Sequence, residues 1–194
     1  MINENNVIQA HTPMKQIYHN ELSPKDDEIV LVGGSSETGR MCDEYGFKRY
    51  VTVEEMAGLF PELVPLSHKA GYPGESALTN MEGRVKERLG IKDVSAIMSK
   101  MRFKGVMLFS NPFMYETHMQ IMSDALISKD GLLGTVRTPK DPQYPALYFA
   151  HSDLYVPFKD VSLPSLSQRY SLGVFTRAFE TIFIKQYPGY TLHS

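Results

Sequence analysis

The sequence predicts an α/β fold, a mainly parallel sheet with helices on both faces, and three observations carry that reading. The stretch Glu28 to Val53, EIVLVGGSSETGRMCDEYGFKRYVTV, reads as strand, glycine turn, helix, strand. A second apolar run, GVMLFSN from Gly105, ends at Asn111-Pro112 and is followed by residues at helical spacing. Leu172 to Gln186 carries Leu172, Phe175, Phe179, Ile182 and Phe183 on one stripe, as an amphipathic helix does. Short, continuously apolar strands alternating with helices are the pattern of a parallel sheet covered on both sides.

Each element has a local reason. Ile29, Val30, Leu31 and Val32 are β-branched at three of four positions, which suits a strand buried on both faces. Gly33 and Gly34 allow a sharp turn, Ser35 or Ser36 can cap the next helix, and Glu37 suits its positive end. Gly46 ends that helix, and Phe47 to Val53 is expected to return as a strand. Before this unit, Met1 to Asn6 read as an untethered start, and Thr12 is expected to cap a helix whose first turn tolerates Pro13. After it, Thr52 with Glu54 and Glu55 starts a short helix that Pro61 stops. Residues 61–100 are rich in Pro and Gly at first and then charged, with a helix-prone segment at Met81 to Leu89. This reads as an irregular excursion within a single α/β domain of residues 1–194. Phe113 to Ser128 is helical, with Met114, His118, Ile121, Met122, Ala125 and Leu126 on its inner side. A variable loop spans Thr138 to Pro145, ALYFA from Ala146 is a third buried strand, and Pro157 and Pro164 bracket a further loop.

Bulk properties exclude several classes. A formal net charge of −2, with lysines and arginines scattered, gives no basic face for a nucleic acid. Cys42 is the only cysteine, so no internal disulfide can form, and a reducing compartment is the default. No apolar stretch reaches the roughly 20 residues of a membrane span. The polar start MINENNVIQA lacks both a secretion signal and an arginine-rich presequence. An intracellular, cytoplasmic protein is the expectation, and this N-terminus does not support a mitochondrial one.

The motifs for chemistry are sparse. Gly33, Gly34 and Ser35 follow a strand and precede a helix, where phosphates bind in nucleotide folds, but Gly39-Arg40 replaces the Gly-Lys of a P-loop. A structural turn is the simpler reading of that stretch. His11, His68, His118, His151 and His193 are far apart, with no metal-ligand spacing. Cys42, inside a helix with acidic neighbours, reads as a core thiol rather than a nucleophile. The polar residues at strand ends are the candidates for ligand contact: Ser110 and Asn111 after one strand, and His151, Ser152 and Asp153 after another.

Several segments in order resemble one family: AHTPMK, IVLVGG with EYGFKRYVT, GVMLFSNP with QIMSDAL, GLLGTVRT, ALYFAHSDL and RYSLGVFTRAFETIF. The series resembles subfamily IIA of the haloacid dehalogenase superfamily (HAD), most closely its cat-eye-syndrome-critical-region branch, over nearly all of the chain except Leu66 to Lys100. Enzymes of that superfamily use an Asp-x-Asp-Gly nucleophile motif with Mg²⁺, and a lysine in a later Gly-Lys-Pro motif. These 194 residues contain no Asp-x-Asp. The segment around His11-Thr12-Pro13 matches family sequence lying after the second motif, and the Gly-Lys-Pro motif would follow Ser194. The resemblance therefore implies a truncated chain corresponding to the type C2 cap, the insertion that closes over the core and selects a phosphorylated substrate. It is expected to be inactive alone and to self-associate or bind a partner that supplies a HAD core. The family's substrate-facing loop maps to His151, Ser152, Asp153 and Leu154, with His151 standing where the family commonly carries an Asn. Asn111 and Tyr155 join it as candidates. The alternative is a non-catalytic binding protein for a nucleotide or other phosphorylated ligand, built on the glycine turn and the strand ends.

Overall fold

The computed structural model describes residues 9–66, 75–138, 140–141, 145–157 and 168–188. The start at Met1 to Asn6, the loop between Pro157 and Pro164, and His68 and His193 lie outside them.

A short helix α1 (Thr12–Gln16) runs into a π-helical turn at Ile17–Leu22. There follow β1 (Glu28–Gly33), α2 (Thr38–Glu44), β2 (Tyr50–Thr52) and α3 (Val53–Leu59). Helices α4 (Glu75–Leu89) and α5 (Ser95–Ser99) lead to β3 (Arg102–Leu108), α6 (Tyr115–Ile127) and β4 (Ala146–Phe149). A hairpin of β5 (Tyr155–Pro157) and β6 (Gln168–Tyr170) precedes α7 (Leu172–Gln186). The main sheet has the order β2-β1-β3-β4, and every pairing in it is parallel.

Side chains alternate across the sheet as a pleat requires, and each set has a helical cover. Ile29, Leu31, Val51, Val106, Leu108 and Leu147 join the core with α3 to α7, whereas Val30, Val32, Tyr50 and Met107 join α1 and Cys42 of α2. Both faces are therefore dry, which explains why β1 reads as an unbroken apolar run.

Four local expectations need correction. Residues 61–100 are not irregular throughout: α4 and α5 occupy 20 of them (15 + 5), while 67–74 lies outside the described residues. Among the described side chains of helix α4, Val85 and Leu89 are buried, so its stripe is narrow. It is anchored by Arg88, which pairs with Glu55, donates Nε to the Tyr50 carbonyl at 3.0 Å and lies 3.9 Å over the Tyr50 ring. Neither Ser35 nor Ser36 caps α2: the N-cap is Glu37, without a side-chain cap bond, and the Ser35 amide instead donates to Ser110, just after β3. The second strand is only Tyr50–Thr52. Phe47 instead stacks on Tyr18 at 3.7 Å, and the Tyr18 hydroxyl accepts the amides of Lys48 and Arg49. Thr12 lies inside α1 and His11 is the N-cap. The start of α3, by contrast, is a full capping box between Thr52 and Glu55.

Candidate functional site at the carboxyl edge of the sheet

The chain leaves β1 toward β2 on one side and returns to β3 on the other, so the strand order reverses between β1 and β3. In open α/β sheets that reversal leaves a crevice at the carboxyl ends of the strands. Here it is filled from α6. A Cβ on Gly33 would stand 2.8 Å from the His118 ring and 2.7 Å from Leu108, so the ring packs where a side chain would be. Gly34, at φ +146°, turns the chain so that its amide donates to His118 Nε2 at 3.2 Å. The Ser35 amide donates to Ser110 Oγ at 2.9 Å. The glycine turn is thus held by α6 and β3, and two of its amides are already committed to protein acceptors rather than open to a phosphate.

His118 is fully buried on the inner side of α6, and its protonation is legible from its bonds. Nδ1 donates to the Met114 carbonyl at 2.9 Å, leaving the Nε2 lone pair for the Gly34 amide. Burial lowers its pKa from 6.5 to about 4, consistent with a neutral ring. Glu54, at the start of α3, brings Oε1 within 3.5 Å of the same Nε2. Desolvation raises its carboxyl from 4.5 to about 7, against weaker opposing hydrogen bonds from its own backbone and Thr52. Ser110, His118 and Glu54 therefore gather at one place without forming a serine–histidine–acid relay. The nitrogen that would accept a serine proton holds an amide, and the nitrogen an acid would orient holds a carbonyl.

These two shifts act in opposite directions on stability. The proton that folded Glu54 retains contributes stability that is complete below pH 4.5 and lost as pH rises through 7. His118 contributes stability that is present above pH 6.5 and lost as pH falls toward 4. Glu54→Gln is expected to raise the unfolding free energy read by urea titration at pH 8, relative to wild type, by about 1–2 kcal/mol after discounting for the third of the side chain that is exposed. The gain should vanish at pH 5, and an equal gain at both pH values would contradict the assignment.

The strand-end candidates share this edge. The Ala150 amide donates to the Leu108 carbonyl at 2.9 Å, placing the segment after β4 beside Phe109 and Ser110. Asn111 Oδ1 accepts the Tyr115 hydroxyl at 2.6 Å. His151 Nδ1 lies 3.6 Å from Asp153 Oδ2, and it is buried without a hydrogen-bond partner. Ser152 and Asp153 are exposed, and Tyr155 stands on the separate β5–β6 ribbon, tilted against Tyr170 at 5.5 Å between centroids. Gly33, Gly34 and Ser35 flank the same crevice at the end of β1. Reasoning from sequence missed Glu54 and treated His118 as part of an apolar stripe. The available signal was a histidine on the inner stripe of a helix that directly follows a buried strand.

Cys42 is inert as a nucleophile, since burial, followed by the Asp43 charge, pushes its thiol far up. Among the described residues no group of three or more His, Cys, Asp or Glu side chains could hold a metal ion. A cavity of about 660 Å³ lies at the opposite, amino edge beside Lys48 and Arg49. Arg49 there is spent on the carbonyls of Glu28 and Asp26, so that cavity reads as a structural hollow. A second cleft of about 460 Å³ lies at the β2 corner of the carboxyl edge, between α2, α3 and α4. No helix among the described residues is long and apolar enough to cross a membrane.

A parallel α/β layer with its polar residues gathered at the strand carboxyl ends is common to many enzymes, and the comparisons narrow the class. The chain is 29% identical, over 150 residues, to a protein of Saccharomyces cerevisiae named as a mitochondrial hydrolase; the match covers 76% of this chain and 37% of that protein. It is 25% identical over all 194 residues to a Schizosaccharomyces pombe protein named as a fusion of a CMP-forming cardiolipin synthase with a mitochondrial hydrolase, covering 28% of it. The chain thus spans between about a quarter and two fifths of these relatives, and its similarity is to hydrolases. No family model matches it.

Proposed function

We propose that these residues form the cap-like, substrate-selecting segment of a HAD-type hydrolase, with the bond-breaking groups and Mg²⁺ on a separate core. The observation that carries this reading is the apolar surface left open around the carboxyl edge. Phe113, just after β3, is 91% exposed, and Leu154, Tyr155 and Tyr170 are exposed beyond β4. Single exposed apolar residues are ordinary, but several around one strand edge mark a surface that meets another body. The similarity to hydrolases of greater length, and the lack of an Asp-x-Asp pair in the 194 residues, support the same division of labour. Asn111, His151, Ser152, Asp153 and Tyr155 are then the side chains that meet a small phosphorylated substrate. Asp153, open and acidic, would accept hydrogen bonds from hydroxyl or amine groups, and His151 Nδ1 is an unused donor or acceptor beside it.

Light scattering on the purified chain tests the exposed edge. Self-association above 22.0 kDa that grows with concentration and falls in Phe113→Ser is expected. A clean monomer at high concentration would count against the reading. The relatives' names also favour a mitochondrial compartment over the cytoplasmic one read from the N-terminus. Co-fractionation of the native protein with mitochondria decides that point.

A further inference from the structure

Two arms of the carboxyl edge rest on the first turns of α7. On one, the Tyr115 ring stands edge-on to Phe175 at 5.1 Å, and the Tyr115 hydroxyl donates to Asn111 Oδ1 at 2.6 Å. On the other, the Gly173 amide donates to the Asp153 carbonyl at 3.0 Å and the Ser171 amide to that of Leu154 at 2.9 Å. The bond from the Ala150 amide to the Leu108 carbonyl joins the arms where β3 and β4 end side by side.

The polar atoms these arms leave unused are complementary in kind. With Oδ1 taken by Tyr115, Asn111 presents the two N–H donors of Nδ2. His151 Nδ1 is buried without a partner, and Asp153 Oδ2, 3.6 Å away, is too far for a direct hydrogen bond. An unpaired buried ring nitrogen is a cost to folding, which a ligand that bonds to it removes. The Asp153 carboxylate is 74% exposed and only accepts.

Given the cap-like reading above, we propose that the substrate selected at this edge is the phosphate ester of a polyol, read through adjacent hydroxyls. A hydroxyl both donates and accepts, so one hydroxyl bonds His151 Nδ1 and Asp153 Oδ2 together, whichever ring tautomer is present. Its neighbour accepts from Asn111 Nδ2. An ammonium suits Asp153 but brings no acceptor for Asn111. A carboxylate brings acceptors but meets the like charge of Asp153. An apolar ester leaves all three side chains unpaired. Phe113 and Tyr155, two residues beyond Asn111 and Asp153, are exposed rings whose faces suit the C–H side of such a chain.

The test is an NMR titration of the whole 194-residue chain, reading the His151 ring resonances, with ribitol 5-phosphate, phosphoethanolamine and ethyl phosphate. Saturable shifts are expected with ribitol 5-phosphate, at a dissociation constant at least about fivefold below those of the other two. Asp153→Ala, at an exposed position, should weaken ribitol 5-phosphate about tenfold. Tyr115→Phe keeps the ring against Phe175 and frees the Asn111 amide to turn, and should weaken it about threefold. A thermal melt confirms that both variants are folded. Phosphoethanolamine or ethyl phosphate binding as tightly, or unchanged affinity in both variants, would overturn the polyol assignment and leave the hydrolase reading standing. No shift at His151 with any of the three up to roughly 20 mM, where a millimolar site would be filled, would overturn the substrate-facing role of the loop as well.

Discussion

Gly173→Ala should destabilise the protein by about 2–4 kcal/mol and displace the segment 151–153, although alanine is the better helix former. Gly173 lies in the first turn of α7, and its amide donates to the Asp153 carbonyl at 3.0 Å. A Cβ there would stand 2.2 Å from the Ser152 carbonyl oxygen and 2.6 Å from that of Asp153. Helix propensity favours alanine by about 1 kcal/mol. The overlap is with backbone atoms, which cannot swing aside as a flexible side chain could, so the clash outweighs the propensity. Either α7 or the candidate loop must move, and the loop holds fewer buried contacts. Chemical denaturation reads the stability, and the ring resonances of His151 read the displacement. A variant more stable than wild type, with His151 unmoved, would show that the loop does not rest on α7.

Phe179→Ala is expected to cost about 3–5 kcal/mol, a large share of the 5–15 kcal/mol that holds an ordinary domain together. Phe179 is 1% exposed and lies between Phe175, stacked at 6.1 Å, and Phe183, stacked at 5.7 Å, with Phe149 of β4 edge-on at 6.5 Å. Removing the ring empties the contact between α7 and the edge of the sheet that bears the candidate loop. At about 2–4 °C per kcal/mol for a chain of this size, the melting midpoint should fall by roughly 6–20 °C. A drop of under about 2 °C would mean that α7 is not packed as described.

The elements legible in the sequence are those whose cause is local. Helix α7 was readable to its ends because its stripe is continuous and Pro188 follows it. The strands β1 and β3 were readable because burial on both faces leaves an apolar run, and α3 because its capping box lies within four residues. What could not be read depends on distant partners. Arg88 anchors α4 through Tyr50 and Glu55, more than thirty positions away. The start of β2 was misjudged because Tyr18, from the π-helical turn, takes the amides of Lys48 and Arg49. The same limit governs the site. Ser110, Asn111, His151 and Asp153 were identifiable as strand-end residues, but the meeting of Glu54, His118 and Gly34 joins three elements separated by up to 84 positions. Only the strand order brings them together.

The proposed role of these residues is the choice of substrate and not the breaking of a bond. The most direct measurement is hydrolysis of p-nitrophenyl phosphate by the pure 194-residue chain, with and without Mg²⁺. Phosphoryl transfer needs a nucleophile or oriented water and positioned positive charge, and the 194 residues contain no Asp-x-Asp pair to provide the family's nucleophile. The account predicts turnover no faster than buffer under both conditions. Robust Mg²⁺-dependent turnover that co-purifies with the chain would contradict it, and would place a complete active site within these residues.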